Sequence, residues 1–186
     1  MEVIDVREYI VALENFTPSV ASRKRAYGGG FVMVSGGISL PTHTALVFSK
    51  PTGPTRGLTS HRYIPEVLSD HVVPYSGYIG PDMQLMRDNV QSHVAHVVTQ
   101  YLHDVGIRTM VWPACSTDLN PIEHLWDELK CRVRARVPAP IRFPELKIVI
   151  EEEWDAIPQD FIVRLVRSIN TRVLAAIRAR GGNTQY

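Results

Sequence analysis

Two carboxylates stand where their spacing could support chemistry. Asp88 follows the short apolar run "MQLMR" (83–87), and Glu123 lies in "DLNPIEHLW", with 34 residues between them. In an open α/β sheet, the first would end a strand and the second would sit on the first turn of the helix after the next strand. Both would then face the crevice at the carboxyl ends of the strands, where such sheets bind ligands. Two carboxylates about 4 Å apart repel by about 4 kcal/mol at an effective dielectric near 20, so a convergent pair demands a proton or a bridging cation. Donor sets made only of oxygen favour Mg²⁺ or Mn²⁺, and a metal pair polarises the attacking and leaving oxygens of a phosphodiester. Asp88 and Glu123 are therefore the candidate catalytic and metal-binding residues. A centre of this kind usually takes a third carboxylate.

Plainer roles compete for the same residues. Asp88, before Asn89, also suits a helix cap or an Asx turn, and Glu123 completes a capping box with Asn120. His93 and His96 are one helical turn apart and could ligate zinc, but no third ligand is evident. The clusters Gly28–Gly30 and Gly36–Gly37 lack the Lys-Ser/Thr ending of a phosphate loop and read as bulges and turns. Arg23-Lys24-Arg25 is a short basic run that suits a solvated loop or a nucleic-acid contact. Trp112 and Trp126 flank the Glu123 segment and read as core residues, with base stacking a minor alternative.

The elements that must position these groups are legible from periodicity. "FVMVSGGISL" (31–40) and "TALVFS" (44–49) form an expected hairpin. "SHRYIPEVLSDHVV" (60–73) has helical apolar spacing with Pro65 in its first turn. Residues 83–87 read as a strand, about 92–105 as a helix closed by Gly106, and "IRTMVW" (107–112) as another strand. Asn120-Pro121 marks a helix start, and that helix should run to about Val137. A helix over 144–156 follows, and one long amphipathic helix should close the chain. It places Phe161, Ile162, Leu165, Val166, Ile169, Val173 and Ile177 on its apolar face. Arg164, Arg167, Arg172, Arg178 and Arg180 fall mostly off that face, where they could meet solvent or phosphates. The order of elements favours an α/β sheet with parallel central strands.

The composition is that of a folded globular chain. In 186 residues, 45% are apolar and 21% charged, with a net charge of +1, so one well-buried domain is expected and disorder is not. The near-neutral total excludes a strong overall pull toward nucleic acid or anionic membrane, although basic residues outnumber acidic ones after His124. Cys115 and Cys131 form no disulfide framework and lack zinc-ligand spacing. No signal peptide or membrane span is read from the sequence, which points to a soluble intracellular protein.

The blocks "GGGFVMVSGGISL", "RDNVQSH", "VWPACSTDLNPIEHLWDELKCRVR" and "IPQDFIVRLVRSINTRVLAAIRARGGNTQY" together resemble the catalytic domain of mariner-superfamily transposases, in the Tc-one-like branch. The resemblance implies a ribonuclease-H-like core, a mixed sheet flanked by helices, followed by a helical C-terminal extension. It implies Mg²⁺ or Mn²⁺ as cofactor, DNA as partner, a possible homodimer and the nucleus as location. Asp88 resembles the family's second catalytic Asp, and Glu123 the catalytic Glu. The family's first catalytic Asp and the strand bearing it have no match here, so a chain with its first strand missing is expected. Asp5, in "EVIDVRE", is a poor substitute because it lies too close to Gly28.

Residues 1–27 are accordingly read as a partial N-terminal segment, 28–137 as an incomplete catalytic core and 138–186 as the extension. Ser35 stands where the family commonly has Trp, and Val90, Gln91 and Ser92 stand where Ala-Arg-Pro is typical. The expected function is a truncated transposase domain with little or no DNA cleavage, because two carboxylates hold a metal pair weakly. The alternatives are a non-catalytic nucleic-acid-binding remnant and an unstable remnant.

Overall fold

The computed structural model describes residues 10–16, 33–50, 58–87, 90–111, 116 and 119–179. Five strands form one sheet: β1 (Ile10–Phe16), β2 (Met33–Gly36), β3 (Val47–Ser49), β4 (Gln84–Arg87) and β5 (Arg108–Thr109), in the order β3-β2-β1-β4-β5. The strands β3, β2 and β1 run as an antiparallel meander. From β1 outward through β4 to β5 the pairing is parallel. This is the expected α/β mixed sheet, and the hairpin falls where the sequence places it.

One expectation is corrected. The sheet does not lack its opening strand: β1, "IVALENF", occupies the centre, bonded to β2 on one side and β4 on the other. Its run of apolar residues is short and interrupted by Glu14 and Asn15, so periodicity alone gives a weak signal. Neighbours on both edges supply the backbone partners that hold it as a strand.

Helices cover both faces. On one face, α1 (Ser60–Tyr63), a π-helical stretch (Ile64–Val72) and α2 (Val73–Ile79) run on from one another. Pro65 and Pro74 lack the amide hydrogens that an α-helical ladder needs, which accounts for the wider hydrogen-bond spacing between them. With α4 (His96–Asp104), this layer buries Tyr63, Val67, Leu68, Val72, Val98 and Leu102 against Leu85 of β4. Between β4 and α4 lies the single turn α3 (Gln91–Val94). The helix expected over 92–105 is thus divided at Ala95, whose ψ of 141° is extended.

The opposite face carries α5 (Pro121–Ala135), α6 (Phe143–Asp155), α7 (Gln159–Arg167) and α8 (Ile169–Arg178). Ile122, Trp126 and Leu129 of α5 share one core with Val34 of β2, Met86 of β4, Trp154 of α6 and Ile162, Val166 and Ile169 of α7 and α8. Trp126 stacks on Trp154 with ring centroids 5.1 Å apart, and the Trp154 indole donates to the Thr44 carbonyl at 2.8 Å. The closing helix is two, separated at Ser168, where ψ is −13°. The break swings α8 off the expected line. Ile177 is exposed rather than core, and Arg172, expected off the apolar face, is 4% exposed and donates through Nε to Ser168 Oγ at 2.8 Å.

Gly36 is needed for a close approach rather than a bulge. A Cβ there would lie 2.8 Å from Leu46 Cδ2, 3.1 Å from Trp126 and 3.2 Å from Trp154. The missing side chain lets the tryptophan pair settle directly on the sheet.

Candidate active site

The start of α5 is built by local rules. Asn120 is the N-cap, with extended backbone, and its side-chain oxygen accepts from the Ile122 amide at 3.3 Å. Pro121 fills the first helical position, where a missing N–H costs nothing. The Glu123 amide donates to the Asn120 carbonyl at 3.2 Å. Ile122, Leu125, Trp126, Leu129 and Val133 turn into the core, which leaves Glu123 half-buried on the flank of the helix. Among the described residues, no hydrogen bond or ion pair engages its carboxylate. The capping box expected for it is carried by Asn120 alone. A carboxylate on a first helical turn also sits in the favourable field of the helix N-terminus.

Asp88 lies outside the described residues, but both its flanks are placed. Arg87 ends β4 and is only 8% exposed, and its guanidinium donates to the His93 carbonyl on α3. The His93 ring stacks on Tyr63 of α1, with centroids 4.3 Å apart and planes 28° from parallel. A buried arginine fork and a ring stack therefore tie together the two ends between which Asp88 is carried. The sequence gives a signal for this lock only in retrospect, as an Arg at the end of an otherwise apolar strand.

The zinc alternative finds no structural support. His93 is 1% exposed and engaged with Tyr63, whereas His96 is exposed and stands beyond the break at Ala95. Among the described residues no group of three or more His, Cys, Asp or Glu is assembled for a metal. Asp5, Arg23-Lys24-Arg25, Gly28–Gly30, Trp112, Cys115 and Arg180 lie outside the described residues. Trp126 is core, as expected, and Cys131 is a free, exposed thiol. No described helix is long and apolar enough to cross a membrane.

The sequence reading missed β1 and with it Glu14, which pairs across the antiparallel ladder with Gly36. The signal was the run Ile10–Leu13, four apolar residues matched one for one with Gln84–Arg87 of β4.

Comparison with known proteins agrees with this geometry. Residues 40–142 match the family described as DDE superfamily endonuclease. The transposable element Tc3 transposase of Caenorhabditis elegans is 33% identical over 170 residues, covering 91% of this chain and 50% of that protein. The Tc1 transposase of the same organism is 32% identical over 178 residues, covering 92% and 60%. The chain thus spans about half the length of the curated relatives it matches. Among solved structures, the catalytic domain of Mos1 mariner transposase superposes with a TM-score of 0.78 at 15% identity, over 97% of this chain and 86% of that one. The same domain with Raltegravir and Mn gives 0.76 at 16% identity, over 96% and 86%. The superpositions establish the ribonuclease-H-like fold, and the match over 40–142 establishes descent: this chain belongs to the DDE superfamily endonucleases, among homologues of the Tc1 and Tc3 transposases.

Proposed function

We propose that the chain is the catalytic domain of a cut-and-paste DNA transposase, with Asp88 and Glu123 as metal-holding carboxylates. The observation that carries this reading is Glu123: a half-buried carboxylate on the first turn of α5, unpartnered among the described residues, 34 residues after an Asp that follows β4. A carboxylate that the fold does not use is free to take a ligand, and hard oxygen donors suit Mg²⁺ or Mn²⁺. The donor chemistry therefore fits the metal that the fold implies. Bound there, a divalent pair would supply charge neutralisation and an activated water.

The chain's own contribution is placement. Asp88 and Glu123 would hold the metal beside a phosphodiester, and the Arg87–His93 hydrogen bond joins the described residues on either side of Asp88. Water attacks the scissile phosphorus in line, the P–O3′ bond breaks, and a 3′ hydroxyl leaves. That hydroxyl then attacks a phosphorus of target DNA, forming a new P–O bond while the target's P–O3′ bond breaks and its 3′ hydroxyl leaves. Residues 28–137 together with β1 form the proposed catalytic core, with 138–186 as a helical cover. The expectation of little cleavage rests on only two matched carboxylates, and the opening strand itself is present as β1.

DNA at the ends of a transposable element is the proposed substrate, which puts the work in the nucleus. Joining two ends calls for two such domains, so a second copy of the chain is the proposed partner. The proposal of element ends as substrate draws on the likeness to the Mos1 pre-cleavage transpososome and paired end complex.

The test is nicking of supercoiled plasmid by the purified chain in Mg²⁺ or Mn²⁺. Metal-dependent nicking that disappears in Asp88→Asn and Glu123→Gln is expected. A folded chain that binds DNA but nicks nothing in either metal would instead favour the non-catalytic remnant.

A further inference from the structure

We propose that the exposed ridge of α7 and α8 is a docking surface for duplex DNA, gripping phosphates without reading sequence and without needing metal. It rests on the proposed function only for the identity of the partner. The surface itself is carried by the placement of Arg164, Arg167 and Arg178.

The exposed positions of the two helices recur every three or four residues, at Arg164, Arg167, Thr171, Leu174 and Arg178. The buried positions Ile162, Val166, Ile169 and Arg172 fall between them with the same period. The ridge therefore stays in phase across the break at Ser168. There the Ser168 amide still donates to the Arg164 carbonyl at 3.1 Å, and the Ser168 carbonyl accepts from the Arg172 amide at 3.0 Å. At 1.5 Å per residue the ridge runs about 20 Å from Arg164 to Arg178.

This ridge differs from the other helices in its lack of acid. On and beside α1, α5 and α6, bases sit against carboxylates: Arg62 against Glu66, Lys130 against Asp127, Arg132 against Glu128, and Lys147 against Glu151. From Phe161 to Ala179 there is no Asp or Glu at all, and Arg164, Arg167 and Arg178 have no carboxylate partner among the described residues. Arg164 lies 5.7 Å from the centroid of the Phe161 ring, a contact that steadies the side chain without using its N–H donors.

The plain alternative is a solvated face whose arginines only complement the helix dipoles. That reading suits Arg167 and Arg178, each in a last turn. The same dipole favours an acid in the first turn of α8, and none is there. Charge of one sign along a whole ridge is instead what a polyanion selects.

Residue type and shape narrow the partner. Every base after Lys147 is an arginine, whose planar fork matches the two free oxygens of a phosphodiester. The ridge is convex and one helix wide, the shape that a major groove about 12 Å across admits. Contacts to the phosphates along it fix position and carry no sequence information. An anionic membrane fits less well, because the apolar residues on this side, Leu174 and Ile177, are only 46% and 48% exposed and offer little area to bury in a bilayer interface.

The experiment follows a fluorescent duplex of arbitrary sequence by anisotropy as NaCl rises from about 50 to 200 mM, with EDTA present so that no metal contributes. Each phosphate contact adds about 0.9 to the slope of log affinity against log salt. The triple variant Arg164→Gln, Arg167→Gln, Arg178→Gln is expected to flatten that slope by about 2.7 and to bind at least about tenfold more weakly at the lower salt. A control that loses the same charge elsewhere, Arg108→Gln, Lys130→Gln, Lys147→Gln, is expected to keep the wild-type slope. A triple variant with wild-type circular dichroism and wild-type slope would overturn the proposal. So would a folded wild type that does not bind the duplex, whether or not it binds phosphatidylserine vesicles or polyglutamate.

The result is separable from cleavage. Without metal, Glu123→Gln is expected to bind the duplex at least as tightly as wild type, and plasmid nicking that survives Glu123→Gln would sink the metal reading with this surface intact. Wild type alone supplies a second measurement if the triple variant does not fold. Phenylglyoxal modifies exposed arginines, and mass spectrometry is expected to find Arg164, Arg167 and Arg178 shielded by bound duplex while Arg108 stays reactive. Equal modification of the three with and without duplex would refute the surface.

Discussion

The two faces of the sheet use their polar groups differently. On the face covered by α1, α2 and α4, polar side chains are consumed by one another. Arg87 holds the His93 carbonyl, His93 stacks on Tyr63, and Tyr75 shares a hydrogen bond with Ser39 at 2.5 Å while donating to the Thr42 carbonyl at 2.9 Å. On the α5 face the core is apolar and dominated by the Trp126–Trp154 stack, yet the first turn of the helix over it carries a carboxylate unpartnered among the described residues. The first face spends its chemistry on holding segments in place. The second keeps its chemistry available, which is where a ligand can act.

This contrast can be broken by substitution. Glu123→Gln should reduce metal-dependent nicking at least about 1,000-fold, equivalent to about 4 kcal/mol of transition-state stabilisation. Its melting temperature should stay within a few degrees of wild type, since no described contact is lost. A large drop in stability would mean that Glu123 is structural and that the two faces do not differ. Trp154→Ala attacks the same face through packing instead. It removes the stack and the bond to Thr44, and urea unfolding should show a loss of about 3–5 kcal/mol.

Arg87→Met probes the other face. It should weaken Mn²⁺ affinity about tenfold, as expected for a group that positions a ligand without touching the ion, and lower stability by about 1–3 kcal/mol through the abandoned His93 carbonyl. Arg87→Lys should not restore affinity, because an ammonium does not reproduce the guanidinium fork. Metal affinity indifferent to both changes would confine Arg87 to folding.

The smallest effect is expected at Tyr75, whose hydroxyl burial pushes up to about 12. A raised pKa means that the neutral phenol is favoured in the folded state. Its contribution is complete below the unfolded value near 10 and is lost as pH rises through about 12. Denaturation at pH 8 and pH 11 should show Tyr75→Phe costing about 1 kcal/mol at the lower pH and less at the higher. An equal cost at both would argue against burial as the cause.

Much of the arrangement was legible from local signals. The hairpin of β2 and β3, the strand before Asp88 and the start of α5 all follow from short-range rules: alternation, β-branching, and an Asn-Pro pair that supplies both cap and first-turn residue. The breaks were less legible. Ala95 and Ser168 are ordinary helix residues, and the chain turns at them because α3 is tied to Arg87 and because Ile169 and Arg172 are drawn into the core beside α7. The π-helical spacing between Pro65 and Pro74 likewise depends on a buried face that keeps the helix continuous through both prolines.

The sequence by itself determined the chemistry on offer, two carboxylates at a spacing that matches a known family, and the local starts and stops that carry Glu123 onto a helix. Tertiary structure decided that "IVALENF" is the central strand. The physical reason is that a strand takes its hydrogen-bond partners and its facing from neighbours distant in sequence. In β1 those neighbours are β2, after it, and β4, about seventy residues later.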